Sequence, residues 1–189
     1  MEIKVKNIQR VLDHFYPSPP IPLNCANDFT FLCFVVLSAQ TTDGKVNQVT
    51  EELFKLASTP KEMAALSPDT VQEIIQPVGL AKSKAGYLVQ LSQRIVDVFD
   101  GKVPNTYEDL ESLSGVGHKT ASVIMSQIFG VPAIAVDTHV HRLAVRWGLS
   151  KEQTNVNKVQ QDLCSVFPES DWNKVCLLHR SSWYCWLFV

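Results

Sequence analysis

An all-α fold is what this sequence predicts, on three observations: apolar residues recur at spacings of three and four, cap-forming residues precede most of those segments, and no alternating stretch of useful length competes. With 189 residues, 46% of them hydrophobic, the chain can bury one good core or two small ones, and nothing in its composition suggests disorder. The opening segment MEIKVKNIQRVLDHF carries dispersed charges and lacks the apolar run of a secretion signal, so a cytoplasmic protein is expected. The longest apolar stretch, Phe31 to Leu37, is far shorter than the roughly 20 residues that cross a membrane, and no membrane segment is expected.

The first helix is predicted over about Lys4 to Phe15, followed by a stiff connector with Pro17, Pro19, Pro20 and Pro22 that marks a candidate boundary. Asn27 caps a very apolar helix to about Ser38, which should be central, and a helix from Asp43 carries Val46, Val49, Leu53 and Leu56 on its apolar face. Ser58 ahead of Pro60 and Ser67 ahead of Pro68 are two further starts in which a cap precedes proline. The segment Val71 to Ile75 halts at Pro77-Val78-Gly79-Leu80, and a helical pattern resumes from Lys84 to Phe99 before Gly101 and Pro104. Thr106-Tyr107-Glu108-Asp109 fits a capping box that opens a helix ending at Leu113. The stretches IIQPVGLAKSKAGYL and LESLSGVGHKTASVI echo each other and read as two similar helical hairpins.

In the second of these, Ser114-Gly115-Val116-Gly117 turns the chain and a new helix begins near His118. Glycine adopts positive φ without steric penalty and lets backbone N–H groups approach a ligand, while a helix start adds unpaired N–H groups and the positive end of its dipole. The turn is therefore suited to a DNA backbone phosphate, although a plain tight turn between helices would carry the same two glycines. Lys119 falls in the first turn of that helix, where the dipole disfavours a cation; partial burial would act the same way, and a neutral lysine is what a Schiff-base nucleophile requires. A lysine lying along a DNA-facing rim is the competing explanation. Gly130 and Pro132 end the helix, and Asp137 sits at the start of the next, either as an ordinary cap or as a carboxylate that stabilises positive charge at a reacting sugar carbon.

Charge and cysteines limit the possibilities. A net charge of -2 argues against a protein that coats nucleic acid by bulk electrostatics, yet between Gly115 and Lys151 the ionised groups are Lys119, Arg142, Arg146 and Lys151 against Asp137 alone, enough for a local basic face. The five cysteines, Cys25, Cys33, Cys164, Cys176 and Cys185, form no CxxC pair and indicate neither a disulfide framework nor a zinc site. His139 and His141 point about 200° apart on a helix and do not share a metal ion easily.

The run Leu113 to Ala121 followed by Val136-Asp137-Thr138-His139 resembles the helix-hairpin-helix-GPD signature of the endonuclease III family. Val36-Leu37-Ser38-Ala39-Gln40-Thr41-Thr42-Asp43 and Val78-Gly79-Leu80-Ala81-Lys82-Ser83-Lys84-Ala85 look like segments of the same family, so the resemblance covers about residues 1 to 175. It implies a helix-hairpin-helix DNA glycosylase fold: a six-helix barrel domain over residues 21–131 and a second helical domain from 1–20 with 132–189, the active site lying in the cleft between them. It also implies a monomer acting on damaged double-stranded DNA, with Lys119 and Asp137 catalytic on opposite walls of that cleft. Gly115, Val116, Gly117, His118 and Thr120 would contact the backbone, and Gln40 and Leu80 would fill the hole left by a flipped nucleotide. The family's bifunctional members excise oxidised pyrimidines and cut the strand by Schiff base and β-elimination, and Lys119 implies both steps. A non-catalytic or degenerate helix-hairpin-helix DNA-binding protein is the alternative, and an adenine-mismatch glycosylase is disfavoured by the same lysine.

The end of the chain departs from that pattern. Family members usually close with Cys-x6-Cys-x2-Cys-x5-Cys around a [4Fe-4S] cluster, whereas after about Lys174 this chain reads VCLLHRSSWYCWLFV, with only Cys185 near the first ligand position. The ending resembles a truncation or a shifted reading frame, and no cofactor is expected.

Overall fold

The structure, a computed structural model, describes residues 2–15, 25–152, 154–172 and 175. Among them the chain is helical without strands: α1 (Glu2–Phe15), α2 (Asp28–Ser38), α3 (Asp43–Leu56), α4 (Pro60–Ala64), α5 (Pro68–Ile74), α6 (Ala81–Val98), α7 (Tyr107–Glu111), α8 (His118–Gln127), α9 (Thr138–Arg146) and α10 (Val156–Val166), then a 3-10 turn at Glu169–Asp171. The proline connector and the tail with Cys176, Cys185 and Trp183 to Phe188 lie outside the described residues.

Two compact units divide the chain, one over Pro22–Ile124 and one joining Met1–Ile21 to Met125–Val189, with the division falling inside α8. In the first unit α2 is the central element. Asn27 accepts the N–H of Thr30 while the Thr30 hydroxyl side accepts the N–H of Asn27, a reciprocal cap that starts the helix. Its apolar sequence then has nowhere to face water, and Leu32, Cys33 and Leu37 are completely buried. α3 and α6 pack on α2, and α4 and α5 pack on α6, whose Leu88, Leu91 and Ile95 complete the core. In the second unit α9 and α10 pack together through an apolar set that includes Val140, Leu143, Val159 and Leu163, and α1 is tied to the 3-10 turn by Gln9, which donates to Asp171.

Several local expectations change. Leu56 is exposed, because α3 turns its last residue past the core that holds Val46, Val49 and Leu53. Thr59 rather than Ser58 caps α4: its hydroxyl accepts the N–H of Glu62, and the Glu62 carboxylate accepts the N–H groups of Ser58 and Thr59. At α7 only half of the expected box forms, since Asp109 accepts the Thr106 hydroxyl and not its backbone N–H. α7 ends at Glu111 and α6 begins at Ala81, a turn earlier than its apolar pattern suggests.

Candidate functional site

Two sets of turns in the Pro22–Ile124 unit carry the residues singled out from sequence other than Asp137, and α6 supports both. In the first set, α2 ends at Ser38 and the chain reaches α3 through Ala39, Gln40, Thr41 and Thr42, while α5 leads to α6 through Ile75 to Leu80. Gln40 and Leu80 both occupy the left-handed region, at φ 55° and 61°. A residue with a side chain pays sterically for that conformation, and such positions persist where the surroundings enforce them.

At Gln40 the flanking backbone is held by Lys84. Its ammonium donates to the carbonyl of Leu37 at 2.8 Å, to the carbonyl of Ala39, and to the hydroxyl of Thr41 at 3.1 Å. The side chain is 4% exposed, and burial pulls its pKa below the usual lysine range. A cation is favoured here because the last carbonyls of α2 form the negative end of that helix. The two turns also touch directly: a β-carbon on Gly79 would stand 3.2 Å from the carbonyl oxygen of Gln40. Leu80, by contrast, leaves 61% of its surface exposed, and Gln40 is exposed as well.

The second set is the turn from α7 to α8. Gly115 takes φ 80°, and a β-carbon there would lie 2.8 Å from the ring of Tyr87 on α6. Val116 is buried and its N–H bonds the carbonyl of Leu113, so it anchors the turn to the core while Gly115 and Gly117 are exposed. Ser114 donates to Gln90, and Arg94 donates to Ser112, which fastens the turn along α6. His118 stacks on Tyr107 with ring centroids 5.4 Å apart, and its Nδ1 lies 2.7 Å from Glu111. At the start of α8 the N–H groups of Gly117 and His118 have no carbonyl four residues back within the helix, which is the arrangement that accepts an anion.

Lys119 stands in the first turn of α8 and is exposed, so burial adds nothing to the effect of the dipole there. Thr120 beside it is half-buried. Asp137 belongs to the other unit, where its carboxylate accepts the N–H of Val140 at 2.7 Å and so caps α9. The structure thus brings Gln40 and Leu80 together through Lys84 and gathers Gly115 to Thr120 at one turn. Sequence reasoning missed the roles of Lys84 and Tyr87. The signal for the first was present: Lys84 falls on the helix face of Ala85, Leu88, Leu91, Ser92 and Ile95, where a charge must find partners.

Residues 33–169 match the HhH-GPD superfamily of base excision DNA repair proteins. The chain belongs to the endonuclease III family. It is 38% identical over 174 residues to endonuclease III of Bacillus subtilis strain 168, covering 90% of this chain and 80% of that one, and 42% identical over 166 residues to endonuclease III of Treponema pallidum strain Nichols, covering 86% and 78%. A non-covalent endonuclease III–DNA complex superposes with a TM-score of 0.89 at 34% identity, over 96% of this chain and 85% of that one; a trapped endonuclease III–DNA covalent intermediate gives 0.87 at 34%, over 94% and 85%. A thermostable thymine-DNA glycosylase, 18% identical with a TM-score of 0.78, over 95% of this chain and 86% of that one, shares the fold. This protein is therefore a DNA-binding glycosylase of base excision repair, with the helix-hairpin-helix glycosylase fold.

Family members of this kind typically carry a [4Fe-4S] cluster, which takes thiolates as ligands. The described cysteines do not fit that role. Burial pushes the Cys25 thiol up to about 11, raises Cys164, and raises Cys33 further inside the α2 core, so all three are held as thiols. Among the described residues no group of three or more His, Cys, Asp or Glu side chains is placed to hold a metal. No helix among them is long and apolar enough to cross a membrane.

Proposed function

We propose that this endonuclease III family member excises oxidised pyrimidines from double-stranded DNA and then cleaves the strand through a Schiff base on Lys119. The observation that carries the reading is an exposed lysine in the first turn of α8, directly after the turn with Gly115 and Gly117. In this reading the turn at Gly115 and Gly117, with His118 and Thr120 beside it, grips the backbone without reading sequence, Val116 holding the turn in place. Gln40 and Leu80 occupy the gap left by the extruded nucleotide. The amine of Lys119 attacks the sugar C1′; the bond to the base breaks and its electron pair leaves with the base, which takes up a proton. Asp137 stabilises the positive charge developing at that carbon. The amine loses its proton, the sugar ring opens to a Schiff base, and removal of a 2′ proton expels the 3′ phosphate. Residues 21–131 act as the six-helix barrel domain and 1–20 with 132–189 as the second domain of a monomer that works in the cytoplasm.

Borohydride reduction tests the reading. Protein incubated with an abasic-site duplex should become covalently trapped, and Lys119→Gln should abolish the trapped band while keeping affinity for undamaged duplex. DNA binding by the unaltered chain without any trapped species would instead favour a non-catalytic helix-hairpin-helix binding protein.

A further inference from the structure

Lys84 is bonded on both sides of one wedge residue and to the other. Its side chain reaches the carbonyl of Ala39, immediately before Gln40, and the hydroxyl of Thr41, immediately after it. Its own backbone N–H donates to the carbonyl of Leu80 at 3.0 Å. The Lys84 side chain thus ties the first turn of α6, which begins directly after Leu80, to the backbone on both sides of Gln40, and the two turns lie close enough that a β-carbon on Gly79 would stand 3.2 Å from the Gln40 carbonyl oxygen.

The location argues against simple packing. An apolar side chain would fill a place on the buried face of α6 without desolvating a charge, whereas the ammonium needs acceptors and finds three in the Leu37–Thr41 segment. What the arrangement presents outward, Gln40 and Leu80, contributes little to the core. Holding strained, exposed side chains in one geometry before binding removes an ordering penalty from the binding step.

We infer that Lys84 is a positioning residue for lesion interrogation: it couples Gln40 and Leu80 into one preformed wedge, so that both enter the base stack together. The inference rests on the proposed gap-filling role of those two residues. Lys84 itself touches no reacting atom.

The test uses the full-length protein with two duplexes of the same sequence, one undamaged and one containing a tetrahydrofuran abasic-site analogue, and takes the ratio of their Kd values. A 2-aminopurine beside the analogue reports insertion by stopped-flow fluorescence. Lys84→Met should lower the preference for the analogue about tenfold and slow the fluorescence rise, with undamaged-duplex affinity retained. Adding Lys84→Met to Gln40→Ala/Leu80→Ala should cause no further loss of preference, because the lysine acts through those side chains. A Lys84→Met protein with a lower Tm but full preference well below that Tm would overturn the inference, as would a further loss in the triple variant. If Gln40→Ala/Leu80→Ala keeps the full preference, the gap-filling reading itself fails and the inference falls with it. If that double variant loses preference while Lys84→Met does not, only the role of Lys84 is refuted. Should Lys84→Met not fold, Thr41→Ala removes one of the three acceptors and should move the same ratio in the same direction by about threefold; an unchanged ratio there overturns the inference.

Discussion

At the hairpin turn the left-handed conformation falls on Gly115, at φ 80°, whereas in the turns beside it on α6 it falls on Gln40 and Leu80, at φ 55° and 61°. The glycine turn needs no enforcement of its dihedral angle, and Tyr87 occupies the space where a side chain would be. The other pair keeps its side chains, and a buried lysine with three acceptors holds the backbone on both sides of Gln40. The contrast follows from what each turn exposes. In the proposed function the glycine turn would offer N–H groups to a phosphate and works best bare, while the turns at Gln40 and Leu80 would offer side chains to the base stack and accept strain to hold them.

The largest expected effect lies at the hairpin. Gly115→Val combines a β-branched residue at positive φ with a collision against the Tyr87 ring, and should cost about 2–4 kcal/mol. Urea denaturation measures that loss, and undamaged and lesion-bearing duplexes should lose affinity alike. A Tyr87→Ala change in the Gly115→Val background should recover part of the stability; no recovery would mean that the ring contact contributes nothing to the turn.

Leu80→Gly should behave in the opposite way. Glycine relieves the strained φ, offset by its greater freedom in the unfolded chain, so stability should hold or rise by up to about 1 kcal/mol. Preference for the abasic analogue should fall at the same time. A protein that becomes less stable and keeps its preference would break the comparison, since Leu80 would then serve packing and not insertion.

The smallest effect belongs to a site outside both turns. The Glu62 carboxylate, held below its usual range first by the Thr59 hydroxyl and then by backbone N–H groups, has a lower pKa folded than unfolded. Its contribution to stability is therefore complete above the unfolded carboxylate pKa and disappears as pH falls through the folded one. Glu62→Gln should flatten the acid end of a Tm-against-pH curve slightly, with DNA binding at neutral pH unchanged.

Most helices were legible in the sequence because their signals are local. Asn27 and Ser67 cap where their side chains reach an N–H three residues on, and the unbroken apolar run Phe31 to Leu37, with no polar face, places α2 at the centre of its unit. The hairpin was legible for the same reason, since two glycines and a helix start lie within five residues. Neighbouring choices escaped. Ser58 reads as the start of α4, yet Pro60 is its first residue and leaves Thr59 at the cap position.

By itself the sequence determined an all-helical chain, a glycine turn at the head of α8, and a lysine and an aspartate that each begin a helix. Those features depend on residues within a turn or two of one another, so chain order encodes them directly. Only tertiary structure decided that Lys84 spans 47 residues to the Leu37 carbonyl, that Tyr87 faces Gly115, and that Gln40 and Leu80 share one support. Such pairings arise from the packing of α6 against α2, and a lone lysine or tyrosine on a helix face carries no record of which distant backbone it will meet.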